Sequence, residues 1–233
     1  MLTLVLLPGM DGTGIFFSDF AAALGNEFKP LVVTYPDDPS LGYSELETLA
    51  RAALPQNEPF LLLGESFSGP IAISIAASRP PGLAGVILCV TFARNPHPLL
   101  PFVTSILKPF PPVRLPAFIQ HRKLFGKHDS PRLRAKLREV RSRVSQRTLK
   151  ARLEAVASID VSEKLRSLSI PVLDLRALDD RVVSRASGEH IRNVLPRIDL
   201  ADLHAPHLLL QVVPQDAVTT ITRFARNRLK SSN

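Results

Sequence analysis

One short stretch of the chain, residues 60–69, most constrains what the whole can fold into. It has the sequence Phe-Leu-Leu-Leu-Gly-Glu-Ser-Phe-Ser-Gly. Four apolar residues in a row predict a buried strand, and a helical pattern follows the small residues of the turn. When a strand passes into a helix through so tight a turn, the residue at the apex projects from the end of the strand. Ser66 stands at that apex, so the segment predicts an exposed hydroxyl at the head of a helix.

A simpler interpretation of Ser66 is a serine that caps the first turn of a helix, which is common after a strand. This interpretation explains the local pattern equally well. The choice between a capping serine and a reactive serine therefore depends on residues elsewhere in the chain.

Short apolar runs alternate with helical patterns along most of the 233 residues. This alternation predicts βα units and an α/β fold with a mostly parallel sheet and helices on both faces. The predicted strands are residues 2–7, 31–35, 60–63, 86–91, 172–176 and 198–203. The predicted helices are residues 17–24, 44–54, 67–77, 184–194 and 215–229, and Ser44 and Ser184 are predicted capping residues.

Residues 95–158 interrupt the alternation. Their first part is rich in proline, where we expect regular structure to be broken. From Ser130 onward apolar residues recur at helical spacing, at Leu133, Leu137, Val140 and Val144. Because no strand pattern occurs here, we predict a helical insertion between the fourth and fifth strands.

Polar residues that could activate Ser66 follow the last two predicted strands. A serine hydroxyl becomes a nucleophile when a histidine accepts its proton and a carboxylate orients that histidine. Asp179 and Asp180 follow the fifth strand, and His204 and His207 follow the sixth. Each pair lies on a loop after a strand, where catalytic groups can converge.

Four stretches of the sequence together resemble the α/β-hydrolase superfamily, specifically its esterase-like and lipase-like members with a helical cap. They are residues 6–14, 64–69, 177–184 and 205–211. The resemblance implies a hydrolase core formed by residues 1–94 and 159–233, with a helical cap at residues 95–158. The two N-terminal strands usual in the fold are absent, so we expect a minimal sheet of about six strands.

The resemblance also implies roles for individual residues, with Ser66 as the nucleophile. In the family the acid precedes two apolar residues and the start of a helix, a frame that fits Asp180 better than Asp179. The catalytic histidine usually stands seven residues before the proline that opens the last helix. This frame fits His207 better than His204. With an acid and a histidine in the family's order, a reactive Ser66 is favoured over a capping serine.

Hydrolysis of an ester also requires donors for the oxyanion of the tetrahedral intermediate. The resemblance implies that these are the backbone N–H groups of Met10 and Phe67. In the loop that contains Met10, we expect Gly9, Asp11 and Gly12 to contact substrate.

The chain departs from the family pattern at two positions. Pro8 replaces the histidine of the usual His-Gly pair, which removes a side-chain contact and leaves the backbone donor in place. Ser68 stands two residues after the nucleophile, where glycine is usual. Serine is still small enough for close contact between strand and helix.

Two other interpretations fit parts of the sequence. The glycines of residues 9–14, with Asp37 after the next strand, imitate a dinucleotide-binding loop. Their spacing differs from that of the dinucleotide fingerprint, however, and Ser66 would be left without a role. A hydrolase fold used only for binding is the second, although such proteins typically lack a member of the triad.

No cofactor or metal site is predicted, because the six histidines are dispersed and lack neighbouring cysteine or carboxylate clusters. With no tryptophan and two tyrosines, the chain has few residues for a base-stacking surface, and we expect no specific nucleic-acid partner. The single cysteine, Cys89, lies in an apolar strand pattern and fits a reducing compartment. The first residues form a strand pattern without a basic leader, so we expect a cytoplasmic location.

Positive charge is concentrated in the predicted insertion. Residues 108–152 contain 14 lysines and arginines against two acids, in a chain whose net charge is +8. The simplest interpretation is a solvated helix face. The alternatives are docking of an acidic acyl carrier protein, as in a capped methyl ester esterase that this chain resembles, and contact of residues 131–156 with an anionic membrane.

Together these features predict a serine hydrolase that cleaves a small-molecule carboxylic ester through an acyl-enzyme. The alternative is a thioesterase or acyltransferase that acts on groups bound to acyl carrier protein. Apolar residues of the insertion predict an apolar acyl pocket, namely Leu99, Leu100, Phe102, Ile106, Leu107, Phe110 and Phe118.

Overall fold

The computed structural model describes residues 1–56, 58–107 and 116–229, which form an α/β fold. Its six strands are β1 (Leu2–Leu7), β2 (Phe28–Val32), β3 (Phe60–Glu65), β4 (Leu83–Cys89), β5 (Val172–Ala177) and β6 (Asp199–Leu203). They make one sheet in the order β2-β1-β3-β4-β5-β6, and each neighbouring pair is parallel. The predicted sheet of about six strands is therefore confirmed.

The described residues form helices in the connections between strands and after the last strand, β6. They are α1 (Ser18–Ala23), α2 (Tyr43–Ala52), α3 (Gly69–Ala77), α4 (Leu100–Leu107), α5 (Ala117–Leu124), α6 (Pro131–Arg143), α7 (Gln146–Ser158), α8 (Ser162–Arg166), α9 (Arg185–Val194), α10 (Leu209–Val212) and α11 (Pro214–Leu229). Short 3-10 turns occur at Ile15–Phe17, Ser66–Ser68 and Gly126–His128. Within these ranges, no helix is both long enough and apolar enough to cross a bilayer.

Helices cover both faces of the sheet, and successive side chains of a strand belong alternately to the core on one face and the core on the other. Val5 and Leu7 of β1 belong to the core that lies beneath α2, α3, α8 and α9, whereas Leu4 and Leu6 belong to the core beneath α1, α10 and α11. Successive side chains of a strand point to opposite faces, so a strand covered on both sides is apolar along most of its length. This explains why β1 and β3 are largely apolar in the sequence, with Thr3 as the buried polar residue of β1 and Glu65 at the end of β3.

Strand β2 begins and ends three residues before the predicted strand at residues 31–35, so that prediction is wrong in its bounds. The strand contains Pro30, which lacks the N–H that a central strand needs. β2 lies at the edge of the sheet, where this loss is tolerated. The apolar pattern extends further because Val33 and Tyr35 are buried beyond the end of the strand.

The remaining predicted helices and strands occur with small shifts of their ends. Helix α2 begins one residue early, and its first turn is closed by Gly42 N–H, which donates to the Glu45 carboxylate at 3.0 Å. Ser44 is thus within the helix and not at its cap. Ser184 does occupy the N-cap position of α9.

Helices α4 to α7 lie between β4 and β5, where the insertion was predicted. The Ser130 hydroxyl accepts from Leu133 N–H at 3.3 Å and begins α6 at the predicted residue. The proline-rich part is not wholly irregular, because α4 contains Pro101 in its first turn, where a missing N–H is tolerated. Residues 108–115, with their further prolines, lie outside the described residues. The division into core and cap domains remains a prediction.

Helix α6 packs onto the core close to the predicted active-site loops. Leu133, Leu137 and Val140 form a buried cluster with Phe16, which follows the first loop, and with Leu208, which follows His207. Next to this cluster, Lys136 pairs with Asp19 at 2.6 Å and Arg132 pairs with the same carboxylate. The insertion is thereby packed against the segment after the first loop, at Phe16, and against the segment after His207, at Leu208.

A matched pair of leucines tests this attachment. Leu133 is 5% exposed and Leu153 of α7 is 36% exposed. We expect Leu133→Ala to lower the free energy of unfolding by about 2–4 kcal/mol, because it removes buried methyl groups and leaves a cavity. Leu153→Ala should cost less than about 1 kcal/mol. Urea unfolding measures both, and equal losses would contradict the packing of α6 described above.

Candidate active site

The turn after β3 places Ser66 in a left-handed conformation, with φ of 51°. Residues other than glycine rarely adopt this conformation, and they keep it only where the surroundings enforce it. Here the Ser66 carbonyl accepts a hydrogen bond from the Thr91 hydroxyl at the end of β4. The turn is thus fixed by the neighbouring strand as well as by its own chain.

Two glycines permit close approaches around this turn, Gly64 between β3 and α3 and Gly69 between α3 and the residues that follow β4. A Cβ atom at Gly64 would lie 2.7 Å from the Ser68 carbonyl oxygen, and one at Gly69 would lie 2.0 Å from the Thr91 hydroxyl. Both distances are far below van der Waals contact. The small residues that marked the segment in the sequence are therefore required by its geometry.

Ser66, His207 and Asp180 are brought together although long stretches of chain separate them. The Ser66 hydroxyl lies 2.9 Å from His207 Nε2, and His207 Nδ1 lies 2.8 Å from Asp180 Oδ2. The histidine and aspartate side chains are only 6% and 8% exposed. In this arrangement Nδ1 donates to the carboxylate, which leaves Nε2 free to accept the serine proton.

The loop after β5 holds the Asp180 carboxylate in place. Its Oδ1 accepts from the backbone N–H groups of Val182 and Val183 at 2.7 and 3.0 Å, so Oδ2 is the oxygen that faces His207. The same loop is joined to the histidine loop, since Asp179 N–H donates to the Ala205 carbonyl at 3.0 Å. This hydrogen bond joins the loop that carries Asp180 to the loop that carries His207, so each loop helps to hold the other in place.

The two alternative residues, Asp179 and His204, are both exposed. The structure thus brings together the serine, acid and histidine that the family frames favoured. Their catalytic roles remain predictions.

Residues 9–12 form a β-turn beside Ser66. Gly12 N–H donates to the Gly9 carbonyl at 3.0 Å, which places Met10 and Asp11 at the centre of the turn. The Asp11 carboxylate accepts from Thr13 N–H at 2.9 Å, so it organises the loop from within. On the other side of the site, Phe67 is 1% exposed and its ring stacks on Tyr43 at 4.6 Å.

The predicted roles of these residues are not decided by the geometry alone. Oxyanion binding by the Met10 and Phe67 N–H groups remains a prediction. Contact of Gly9, Asp11 and Gly12 with substrate remains one as well.

The two departures from the family pattern contact one another. The Ser68 hydroxyl is fully buried and donates to the Pro8 carbonyl. It also lies 2.9 Å from the Tyr35 hydroxyl. Serine in place of glycine thus adds a hydrogen bond between the serine turn and the first loop, a function that the sequence analysis missed.

A second group that the sequence analysis missed is Glu65, the residue before Ser66. Its carboxyl is buried beneath the turn and accepts from Gln211 Nε2 at 3.0 Å. Burial raises the pKa of Glu65 to about 7, an effect that nearby His207 opposes and Asp11 reinforces. Burial likewise raises the pKa of Asp11. The position between glycine and serine in such a turn is variable, so the sequence alone did not indicate that the Glu65 carboxyl is buried.

The raised pKa of Glu65 predicts a pH-dependent stability. Its carboxyl has an ordinary pKa of 4.5 when the chain is unfolded and about 7 when it is folded, so the folded state holds the proton more tightly. The resulting stabilisation is complete below pH 4.5, decreases as the pH rises and is lost above about pH 7. Glu65→Gln keeps the acceptor oxygen and removes the titration. The free energy of unfolding of this variant relative to wild type should therefore rise by on the order of 3 kcal/mol between pH 4.5 and pH 8.

Urea unfolding at several pH values measures this difference. Asp174, whose pKa burial also raises to about 7, is present in both proteins and cancels from the comparison. Parallel pH profiles for the two proteins would contradict a buried, proton-holding Glu65.

Comparison with known proteins supports this fold. The sequence profile of the Alpha/beta hydrolase family matches residues 4–221. The enol-lactonase from Burkholderia xenovorans LB400 has a similar structure, with a TM-score of 0.81 at 18% identity over 97% of this chain and 91% of that one. A protein named carbamate hydrolase RutD, from Rhizobium rhizogenes, is 24% identical over 97% of this chain and 93% of its own length.

Phytyl ester synthase 1 from Arabidopsis thaliana is 35% identical over 115 residues, which are 45% of this chain. The match covers only 16% of that longer protein, so it concerns a small part of the synthase. The profile match extends over nearly the whole chain, and it includes the loops that carry Ser66, Asp180 and His207. This protein belongs to the Alpha/beta hydrolase family.

Proposed function

We propose that the protein is a serine hydrolase that cleaves a carboxylic ester through an acyl-enzyme. The observation that carries the proposal is the hydrogen-bonded series Asp180–His207–Ser66, with links of 2.8 and 2.9 Å, at a left-handed turn between strand and helix. A buried histidine between a carboxylate and a serine hydroxyl is the arrangement that makes serine nucleophilic near neutral pH.

In the first half of the reaction, Ser66 Oγ attacks the ester carbonyl carbon while His207 Nε2 takes the hydroxyl proton. The imidazolium that forms is stabilised by Asp180, whose second oxygen is already occupied by two backbone N–H groups. Collapse of the tetrahedral intermediate breaks the bond to the leaving alcohol, which receives the proton from His207. The acyl group then remains on Ser66.

In the second half, water attacks the acyl-enzyme with His207 again as the base, and the carboxylic acid leaves as Ser66 recovers its proton. In both halves negative charge develops on the carbonyl oxygen. We assign the backbone N–H groups of Met10 and Phe67 as its donors. Removal of one such donor typically lowers kcat by about 10²–10³-fold.

The names of similar proteins support an acyl substrate without fixing its class. A lactonase and a carbamate hydrolase both carry names of reactions at a carbonyl carbon that is bonded to a further oxygen. We favour a small-molecule carboxylic ester. No step of this mechanism requires a cofactor.

A second candidate is transfer of the acyl group to an alcohol instead of water. It is favoured by the similarity to part of an ester synthase, together with large apolar side chains on α4, on α5 and directly before α4. Leu99, Phe102, Ile106 and Phe118 are 73%, 67%, 51% and 72% exposed. An apolar acyl or alcohol group could cover them, and their predicted role in an acyl pocket remains part of this proposal.

Partners of the basic insertion also remain proposals, and internal pairing accounts for part of its charge. Arg134 pairs with Asp129 at 2.8 Å and Arg143 with Glu139 at 2.8 Å, in addition to the pairs of Arg132 and Lys136 with Asp19. This pairing favours a structural role for much of the positive charge. An acidic acyl carrier protein or an anionic membrane would bind the basic groups that face solvent, such as exposed Arg138. A cytoplasmic location is proposed with them.

Substitutions of two serines and two histidines test the proposed mechanism. We expect Ser66→Ala and His207→Ala each to lower kcat/KM for 4-nitrophenyl esters by about 10⁴-fold or more, because each removes a member of a unit that acts together. The matched controls are Ser142→Ala and His204→Ala, both at exposed positions, which should retain at least about half of the activity. Esters and thioesters of acyl length C2 to C16 should be assayed with all five proteins.

A fluorophosphonate probe provides a readout that does not depend on the choice of ester. Mass spectrometry should find the label on Ser66 and on no other serine. Unchanged hydrolysis by Ser66→Ala, or a label on Ser68, would contradict the proposal. Larger loss from His204→Ala than from His207→Ala would contradict the choice of base.

Product analysis in the presence of a long-chain alcohol distinguishes hydrolysis from acyl transfer. With the best ester of the panel and decanol as competing acceptor, a hydrolase should release free acid as more than about nine-tenths of the product, because water reaches the acyl-enzyme. Decyl ester as the main product would favour the second candidate. Ser66→Ala should abolish either product.

A further inference from the structure

Arg152 of α7 differs from the other basic residues of the insertion in being buried. Only 1% of its surface is exposed, which makes it one of the largest fully buried side chains of the described residues. Burial of a guanidinium is costly unless its N–H groups are hydrogen-bonded. The contacts that compensate Arg152 therefore indicate what this residue does.

Those contacts are with the loops beside Ser66. Arg152 Nη1 donates to the Met10 carbonyl at 2.8 Å, and Nη2 donates to the Pro36 carbonyl at 2.8 Å. Its guanidinium carbon lies 5.8 Å from the centre of the Tyr35 ring. One side chain of the insertion thus joins the loop after β1 to the loop after β2.

The bond to Met10 completes the fixation of the residue that we assign as an oxyanion donor. The N–H of Met10 and the carbonyl of Gly9 belong to one planar trans peptide, so they point in opposite directions. The Gly9 carbonyl is held by Gly12 N–H at 3.0 Å, which fixes this peptide. Arg152 holds the next peptide through the Met10 carbonyl, and so both peptides that flank the Met10 Cα are fixed.

The chain leaves space for the guanidinium in this loop. Gly12 has φ of +75°, and a Cβ atom there would lie 2.6 Å from Arg152 Nη1. The Gly12 carbonyl accepts from Tyr35 N–H at 2.7 Å, and the Tyr35 hydroxyl contacts Ser68 of the serine turn. Arg152 is thus bonded to the loop after β1, and Tyr35 links this loop to Ser68 in the serine turn.

We propose that Arg152 is a positioning residue that orients the Met10 N–H toward the oxyanion through its hydrogen bond to the Met10 carbonyl. This inference rests on the proposed function. Arg152 acts through the loop and does not bind substrate, because its side chain is buried and two of its nitrogens are bonded to backbone carbonyls. An arginine is suited to this task because its planar fork donates to two carbonyls at once.

Two substitutions at this position provide the test, with two matched controls. Arg152→Met removes both hydrogen bonds and keeps most of the volume, and Arg152→Lys keeps the charge and one possible bond. Val156→Ala weakens the packing of the same helix one turn away, at a residue that is 3% exposed. Arg143→Met removes one positive charge from an exposed pair on α6.

We expect Arg152→Met to lower kcat for the best 4-nitrophenyl ester by about 10–100-fold, less than the loss of a whole oxyanion donor, with KM changed less than about threefold. An aliphatic trifluoromethyl ketone, which forms a tetrahedral oxyanion on serine, should bind more weakly by a similar factor. Arg152→Lys should recover part of both losses. Val156→Ala and Arg143→Met should keep kcat and the inhibitor affinity within about twofold of wild type, at a temperature where thermal unfolding shows all the proteins folded.

The outcomes separate this inference from the proposed function. If wild type hydrolyses the ester and is labelled at Ser66, while Arg152→Met keeps its kcat and inhibitor affinity, the positioning role is wrong and the hydrolase function stands. An equal loss in Val156→Ala would also contradict it, since docking strength alone would then explain the effect. If Arg152→Met does not fold, Arg152→Lys carries the same comparison, and unchanged inhibitor affinity in that variant would overturn the inference. Failure of wild type to react with ester or probe would remove both proposals.

Discussion

The site depends on one constraint, the close approach of β3 and α3 around Ser66. Because Gly64 has no side chain to separate β3 from α3, the chain can turn within three residues and Ser66 can adopt its left-handed conformation, while Gly69 leaves space for Thr91 after β4. A hydroxyl in that position projects from the carboxyl edge of the sheet. Without this approach, the His207 side chain in the loop after β6 would not reach the Ser66 hydroxyl.

The parallel sheet supplies the rest of the arrangement. All six strands run in the same direction, so the loops after β1, β3, β5 and β6 lie at one edge. Direct contacts then join these loops in pairs. Asp179 N–H donates to Ala205, Ser68 donates to Pro8, and Leu208 N–H donates to the Leu124 carbonyl of the insertion. The candidate catalytic residues are thus held by neighbouring loops and by the inserted helices as well as by the strands that precede them.

Much of this could be predicted from the sequence, for physical reasons that can be named. The cores on the two faces of the sheet impose apolar runs, which revealed the strands. The turn at Ser66 imposes small residues, which revealed the site. The ends of β2 were misjudged because Pro30 is tolerated at an edge and because buried Val33 and Tyr35 extend the apolar pattern beyond the strand.

The contacts that hold the loops around Ser66 could not be predicted. They join residues far apart in the sequence and leave no periodic pattern of residue types in it. Arg152 meets Met10 across 142 residues, and within a segment of 14 basic residues nothing in the sequence distinguishes it from a surface arginine. Glu65 occupies a variable position of the turn, and only its burial reveals that the pKa of its carboxyl is raised. Ser68 was visible as a departure from glycine, but its two partners became apparent only with the loops in place.

The central claim is that Ser66 reacts within a prepared site in which Met10 and Phe67 receive the oxyanion. A crystal structure of the protein after reaction with an alkyl fluorophosphonate tests this claim directly, because the adduct imitates the tetrahedral intermediate. We expect a phosphorus bonded to Ser66 Oγ, with its phosphoryl oxygen about 3 Å from the backbone nitrogens of both Met10 and Phe67. An adduct on another residue, or a phosphoryl oxygen turned away from these two N–H groups, would contradict it.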